Sequence, residues 1–314
     1  MLLPGAGGPP RSALVVRTGA LGDVLLLRRA VATLNRAGHR VTLIAPGAAG
    51  KALVGSGASE VARCLPSERA DLAPLWARDG DPPAVLRTAL GREPLAYAAS
   101  ADADLAANLA RLGGPVVTCA PAPPEAVHAS DWLARPLESI GLPVAERVAP
   151  LVFSRGEMST AGPWVERLPE RFLALHPGSG SPRKNWPPGR FADVARALAP
   201  SDPFLVVRGP ADEEAADAVL RLPNAVLADA LHPRQLGALL SRAGLFVGND
   251  SGVTHLAAAA GAPTVALFGP TDPAQWAPVG PAVVVVRADA IDALPVADVV
   301  AAATTSWERG PRSR

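Results

Sequence analysis

Apolar residues recur in short runs, separated by segments of helical period and by turns rich in Gly or Pro. The run at 12–16 is continuous rather than alternating, which predicts a strand buried on both faces. Residues 17–23, RTGALGD, form a glycine-containing turn, and 24–37 follow with helical period, Gly38 supplying a C-cap signal. A second strand is expected at 41–45, which completes a βαβ unit with a short turn between strand and helix. Further strands are expected at 94–98 and 115–119. The Ala-rich stretch between 50 and 115 is otherwise weakly patterned, with Lys51 at the start of an expected helix.

Residues 120–165 read as a connector. Pro121, Pro123 and Pro124 break the chain, a helix covering 131–140 follows, and Gly141 and Pro143 end it. A loop near 154–163 is expected to cross into the second half. There the punctuation is clearer. Strands are expected at 172–176, 204–208, 225–227, 245–248, 264–268 and 282–286. Helices are expected at 189–198, 212–222, 234–243 and 251–260, with a last one at 290–303 and a frayed tail from Trp307. Strands alternating with helices imply doubly wound parallel sheets, and 314 residues suit two such domains. Two domains in tandem would face each other across a cleft, with ligands at the C-terminal ends of the strands.

Composition narrows the function. Hydrophobic residues make up 49% and aromatics only 4%, so the core must be mainly Ala, Val and Leu. Thirty basic residues against 29 acidic ones leave a net charge of +1, without the basic excess that nucleic-acid binding needs. Cys64 and Cys119 lack CxxC spacing, which points away from metal sites and disulfides and toward a reducing, intracellular compartment. The opening MLLPGAGGPPRS has no continuous apolar stretch, so no signal peptide is expected. The most apolar segment, 256–268, is cut by Gly261 and Pro263, so a soluble chain without a membrane span is expected. Of the 30 basic residues only Lys51 and Lys184 are lysine. In so Arg-biased a chain, lysine stands out where a compact point charge is needed.

Three segments carry candidate chemistry. The first is 248–278, GNDSGVTHLAAAAGAPTVALFGPTDPAQWAP. A strand runs through Asn249 and Asp250 into a small-residue helix. The first-turn N–H groups of Gly252, Val253 and Thr254 lack helical partners and, with the helix dipole, favour an anion such as a diphosphate. Ser251 and Thr254 offer hydroxyl hydrogen bonds, and His255 lies one turn in, where a phosphate or sugar hydroxyl is in reach. The second is HPGSGSPRKNWPPGRF, residues 176–191, a flexible loop bearing Ser179, Gly180 and Lys184 and suited to clamping a phosphate. The third is RTGALGD. Arg17 stands where a dinucleotide fingerprint has its first glycine, which disfavours a nicotinamide cofactor. Asp23 is either a first-turn helix carboxylate or a general base. In GPADEE, Glu213 or Glu214 suits a ribose hydroxyl or a helix's first turn. His128 is an acceptor-side ligand or a surface residue, and His39 and His232 read as surface or packing residues. The chain has no HExxH, P-loop or GxSxG signature.

Together, GALGDVLL, HPGSGSPRKNWPPGRF, VRGPADEEAA and NDSGVTHLAAAAGAPTVALFGPTDPAQWAP resemble glycosyltransferase family 9, the ADP-heptose:lipopolysaccharide heptosyltransferases. The resemblance covers most of 12–45 and 172–280. It implies a glycosyltransferase B (GT-B) fold of two Rossmann-like domains. Residues 1–160 would bind the acceptor, and residues 161–314, with a C-terminal helix, the nucleotide-sugar. It implies inverting transfer of a sugar, heptose in the family, from an ADP-sugar co-substrate to a lipopolysaccharide-type acceptor, with no cofactor and no metal. By this likeness Asp23 is the catalytic base. Ser179, Gly180 and Lys184 touch the diphosphate, Asp250, Ser251, Gly252 and His255 hold phosphates and sugar, and Glu213 holds the ribose. The expected setting is cytoplasmic, as a monomer without nucleic-acid partners, in transient contact with the inner-membrane surface. The chain departs from the family at Leu27, Arg28 and Arg29, where a Thr-Thr-Pro-like stretch is usual. Two other readings stay open: a nucleotide-sugar epimerase of the same fold class, and a non-catalytic nucleotide-sugar-binding protein.

Overall fold

The apolar runs become two parallel sheets. The structure, a computed structural model, describes residues 11–209 and 212–309. The chain divides into two units, Met1–Ala149 and Pro150–Arg314.

In the first unit the elements are β1 (Arg11–Val16), α1 (Leu21–Leu25), α2 (Arg28–Arg36), β2 (His39–Ala45), α3 (Gly47–Lys51), β3 (Arg63–Pro66), α4 (Ala84–Leu90), β4 (Leu95–Ala99), α5 (Ala103–Ala110), β5 (Val116–Cys119) and α6 (Ala129–Ala134). The sheet order is β3-β2-β1-β4-β5, all parallel. Leu14, Val16, Ile44, Ala96 and Ala98 of the central strands pack under Leu72, Leu86, Leu105 and Leu109. Chain order reverses between β1 and β4, so the crevice of this sheet opens where β1 ends.

The second unit contains α7 (Arg155–Thr160), α8 (Gly162–Val165), β6 (Leu173–His176), α9 (Pro188–Leu198), β7 (Phe204–Arg208), α10 (Glu213–Leu220), β8 (Ala225–Asp229), α11 (Pro233–Leu240), β9 (Leu245–Asn249), α12 (Gly252–Ala260), β10 (Thr264–Phe268), α13 (Pro273–Trp276), β11 (Val283–Arg287) and α14 (Val296–Arg309). Its order is β11-β10-β9-β6-β7-β8, again all parallel. The reversal falls between β6 and β9, with His176 opposite Gly248. Trp186 and Phe191 meet edge to face at 5.2 Å in a core otherwise built mainly of Val, Leu and Ala.

Several expected elements differ. The single helix over 24–37 is two, α1 and α2, broken at Leu26 and Leu27. Those leucines and Arg28 are buried, and Arg28 donates to the Ser59 hydroxyl and the Ala149 carbonyl. Lys51 ends α3 rather than beginning a helix. The crossing loop near 154–163 is helical. Ser154 and Glu157 form a capping box at the start of α7, a Ser-x-x-Glu signal that stands in the sequence. The segment from 151 onward belongs to the second unit, where Leu151 N–H donates to the Ala259 carbonyl and Trp164 Nε1–H to the Leu227 carbonyl. Trp307 lies inside α14 under the Arg171 guanidinium, 4.8 Å from its ring centre, so the helix continues past the expected fray point. Residues 310–314, the opening residues 1–10 read for a signal peptide, and Pro210 and Ala211 of GPADEE lie outside the described residues. No helix among the described residues is long and apolar enough to cross a membrane.

The link between α7 and α11 yields an acid-stability prediction. Arg234 grips Glu157 with Nε–Oε1 at 2.6 Å and Nη2–Oε2 at 3.0 Å, and stacks over Phe153. That grip lowers the Glu157 pKa from 4.5 to about 2. The folded pKa is below the unfolded one, so the contribution is complete above pH 4.5 and is lost as pH falls toward 2. In thermal melts, Glu157→Gln should lower Tm at pH 7, and the gap to wild type should narrow between pH 4.5 and pH 2.

Candidate functional site

The crevice of the second sheet is assembled around Asn249, the last residue of β9. Its side chain is fully buried. Oδ1 accepts the Trp186 N–H at 3.0 Å, and Nδ2 donates to the Pro177 carbonyl at 2.8 Å. These bonds pin both ends of the loop that leaves β6. Trp186 adds a second anchor, its indole N–H donating to the Leu294 carbonyl at 3.0 Å. The loop expected to be flexible is therefore tied down, and carries a 3₁₀ turn over Pro182–Lys184.

Inside that loop the Ser179 hydroxyl lies 2.7 Å from the Ser181 carbonyl and 2.6 Å from Asn185 Oδ1, and accepts the Ser181 N–H. Its hydrogen-bonding capacity is engaged in shaping the loop. Gly180 is exposed, with open space beside its Cα. Lys184 Nζ sits 2.7 Å from Asp250 Oδ2, and the Thr271 hydroxyl donates to the same oxygen at 2.7 Å. The Asp250 side chain is 8% exposed and that of Lys184 34%. The pair is thus buried at the carboxylate end and open at the ammonium end, where two further N–H donors remain on Nζ.

α12 starts directly after Asp250. Ser251 caps it, Oγ accepting the Thr254 N–H at 3.3 Å. The Thr254 hydroxyl donates to the Asn249 carbonyl and is buried. Thr254 thus builds the cap. The helical ladder begins with His255 N–H to the Ser251 carbonyl at 3.1 Å, so the N–H groups of Gly252 and Val253 precede it. Both residues are partly exposed, whereas His255 is buried one turn in. Partial positive charge at a nine-residue helix start, beside a lysine, makes a seat for an anion.

Glu213 is exposed in the first turn of α10, as is Glu214. The buried carboxylate of GPADEE is Asp212, which accepts the Gly209 N–H at 3.1 Å. The sequence offers three acidic residues in a row and no register to tell which turns inward. His128 is a helix cap, its Nδ1 accepting the Ser130 N–H at 3.2 Å. Among the described residues no group of three or more His, Cys, Asp or Glu is gathered to hold a metal.

In the first unit the turn after β1 holds Asp23. Oδ2 accepts the Ala20 N–H at 2.9 Å, which caps α1, and Oδ1 lies 2.7 Å from Arg17 Nη2. Arg17 is itself buried and anchored to the Pro121 carbonyl at 2.8 Å. A Cβ on Gly19 would lie 2.5 Å from the Asp23 Cβ, so the turn closes only around glycine. The carboxylate is 31% exposed at the C-terminal end of the central strand. Asp23 thus caps the helix and keeps its side chain partly exposed. Arg17, seen in the sequence only as a departure from a fingerprint, is its partner.

Residues 117–300 match the model of glycosyltransferase family 9 (heptosyltransferase). Lipopolysaccharide heptosyltransferase 3 of Escherichia coli is 31% identical over 131 residues, which are 40% of this chain and 37% of that protein. The chain thus spans a little over a third of that curated relative's length in the match. Among solved structures, a glycosyl transferase family 9 protein of Veillonella parvula superposes with a TM-score of 0.81 at 18% identity, covering 96% of this chain and 98% of its own. The E. coli heptosyltransferase WaaC with ADP gives a TM-score of 0.70 at 19% identity, covering 94% of this chain and 99% of its own. At these identities the structural likenesses speak to the fold.

Proposed function

The chain belongs to glycosyltransferase family 9, and from that premise we propose that it transfers heptose from an ADP-sugar to a hydroxyl of a lipopolysaccharide-type acceptor. The observation that carries this reading is the anion seat of the second unit, where the N-terminus of α12 and the Lys184–Asp250–Thr271 cluster converge at the sheet's reversal point.

In this reading Lys184 and the N–H groups of Gly252 and Val253 hold the donor's diphosphate. Asp250 aims Lys184, Thr271 aims Asp250, and the loop at Gly180 lets the donor approach the backbone. Glu213 takes the ribose hydroxyls, and His255 supports the sugar side of the seat. Asp23 accepts the proton of the acceptor hydroxyl. That oxygen forms the new bond to the anomeric carbon. The bond from that carbon to the diphosphate oxygen breaks on the opposite face, and its electron pair leaves with ADP, so the centre inverts. Charge growing on the leaving diphosphate meets the helix dipole and Lys184, donors already in place before the reaction. No step calls for a metal ion. A lipid-linked acceptor would bring a monomeric, cytoplasmic enzyme into transient contact with the inner-membrane surface.

The test is calorimetric titration of wild type and Lys184→Ala with ADP, UDP, GDP and NAD. Selective ADP binding by wild type is expected, weakened at least roughly tenfold in the variant. A preference for NAD, or ADP binding indifferent to Lys184, would overturn the reading.

A further inference from the structure

His176 and Asp212 meet at the C-terminal end of β6, opposite the strand that leads into the anion seat. His176 is 1% exposed and Asp212 7%, and their heads lie 3.6 Å apart, Nε2 to Oδ2. His176 Nδ1 is 3.1 Å from the Val207 carbonyl. A carbonyl only accepts, so Nδ1 carries the proton, and the ring's Nε2 is the edge turned to Asp212. Burial lowers the His176 pKa, and the neighbouring Asp212 charge opposes that shift. Of the elements around the ring, β7 presents the Val207 carbonyl, β9 presents Gly248, and the start of α10 presents Asp212, the charged group that acts on it.

Asp212 in turn is wedged between two loops. It accepts the Gly209 N–H at the end of β7. A Cβ on Gly209 would come within 2.6 Å of its carboxylate, and a Cβ on Gly178, after β6, within 2.0 Å. Both loops therefore close around this carboxylate only as glycine backbone. Gly178 opens the segment that continues through Gly180 to Lys184, and Asp212 directly precedes the α10 turn bearing Glu213. A buried ionisable pair is a poor device for stabilising a fold, because desolvation offsets its attraction. Its place is at the reversal point of the sheet, where ligand-binding loops diverge.

Resting on the functional reading above, we infer that His176 and Asp212 are a positioning pair of the donor site. Val207 orients the imidazole, the imidazole backs Asp212 at 3.6 Å, and Asp212 sets the spacing of the Gly178 and Gly209 loops that receive the nucleotide-sugar.

The test uses the full chain and the variants Asp212→Ala, Asp212→Asn and His176→Asn, with ADP affinity by calorimetry and donor KM and kcat by steady-state kinetics. Asp212→Ala and His176→Asn should each raise the ADP Kd and the donor KM roughly tenfold, with kcat within about twofold of wild type. Asp212→Asn should recover most of the affinity, since its amide oxygen still accepts the Gly209 N–H. If Asp212→Ala does not fold, His176→Asn and Asp212→Asn carry the comparison. Unchanged ADP affinity in folded Asp212→Ala or His176→Asn, or a loss confined to kcat, would overturn the pair alone. Wild-type protein that binds no ADP would overturn the functional reading, and the pair with it.

Discussion

Asp23→Asn should lower kcat by about a thousandfold while the Kd for ADP stays within about twofold of wild type. An amide cannot accept the acceptor's proton. It also cannot serve both partners of the native carboxylate. Oδ1 faces the Arg17 guanidinium and Oδ2 faces the Ala20 N–H, both donors. Whichever way the asparagine amide turns, its NH₂ meets a donor, and the cost is about 1 kcal/mol of stability. A thermal melt therefore accompanies the kinetics, so that a change in fold is told apart from a lost base. Turnover within tenfold of wild type would move the base to another residue.

The larger structural effect is expected at Asn249. Asn249→Ala leaves the Trp186 N–H and the Pro177 carbonyl without partners in a buried setting. Each such group costs about 1–3 kcal/mol, so a loss of about 2–6 kcal/mol is expected in denaturant unfolding. The anchored loop is also the one that carries Lys184, so ADP binding should weaken in the same protein. Asn249→Asp is an informative companion. It keeps an acceptor for the Trp186 N–H but turns a second oxygen toward the Pro177 carbonyl, and should also be less stable than wild type. An Asn249→Ala midpoint equal to wild type would mean that the loop is held by Trp186 alone.

Continuous apolar runs announce the strands of both sheets closely except β3, whose RCLP carries no such run, because a strand covered on both faces needs no polar alternation. Helix ends were harder to read. Arg28, just past the break at Leu26 and Leu27, reaches Ser59 and Ala149, residues far along the chain, and no local pattern encodes that reach. The start of α7 is legible, since Ser154 and Glu157 stand at capping-box spacing. At the candidate site, residue types with distinctive chemistry stood out: Lys184, Asp250, the Ser251–Gly252 helix start and Asp23. What those side chains do to one another did not. Lys184 and Asp250 are paired, Thr271 shares the same oxygen, and Thr254 faces inward to the cap. Asp212 was hidden by its two acidic neighbours, and His176 by its place at a strand end, where only the sheet's third dimension brings the two together.

The scarcity of lysine has a practical consequence. Lys184 and Lys51 are the protein's only ε-amines, so amine-acylating reagents have two side-chain targets. Lys51 lies exposed at the end of α3 and reports reagent strength, while Lys184 is a third exposed and held against Asp250. The ratio of labelling at the two positions, read by peptide mass spectrometry, is therefore an internally calibrated gauge of the Lys184 environment. It requires no engineered reporter, and any molecule seated against Lys184 changes one channel and leaves the other as reference.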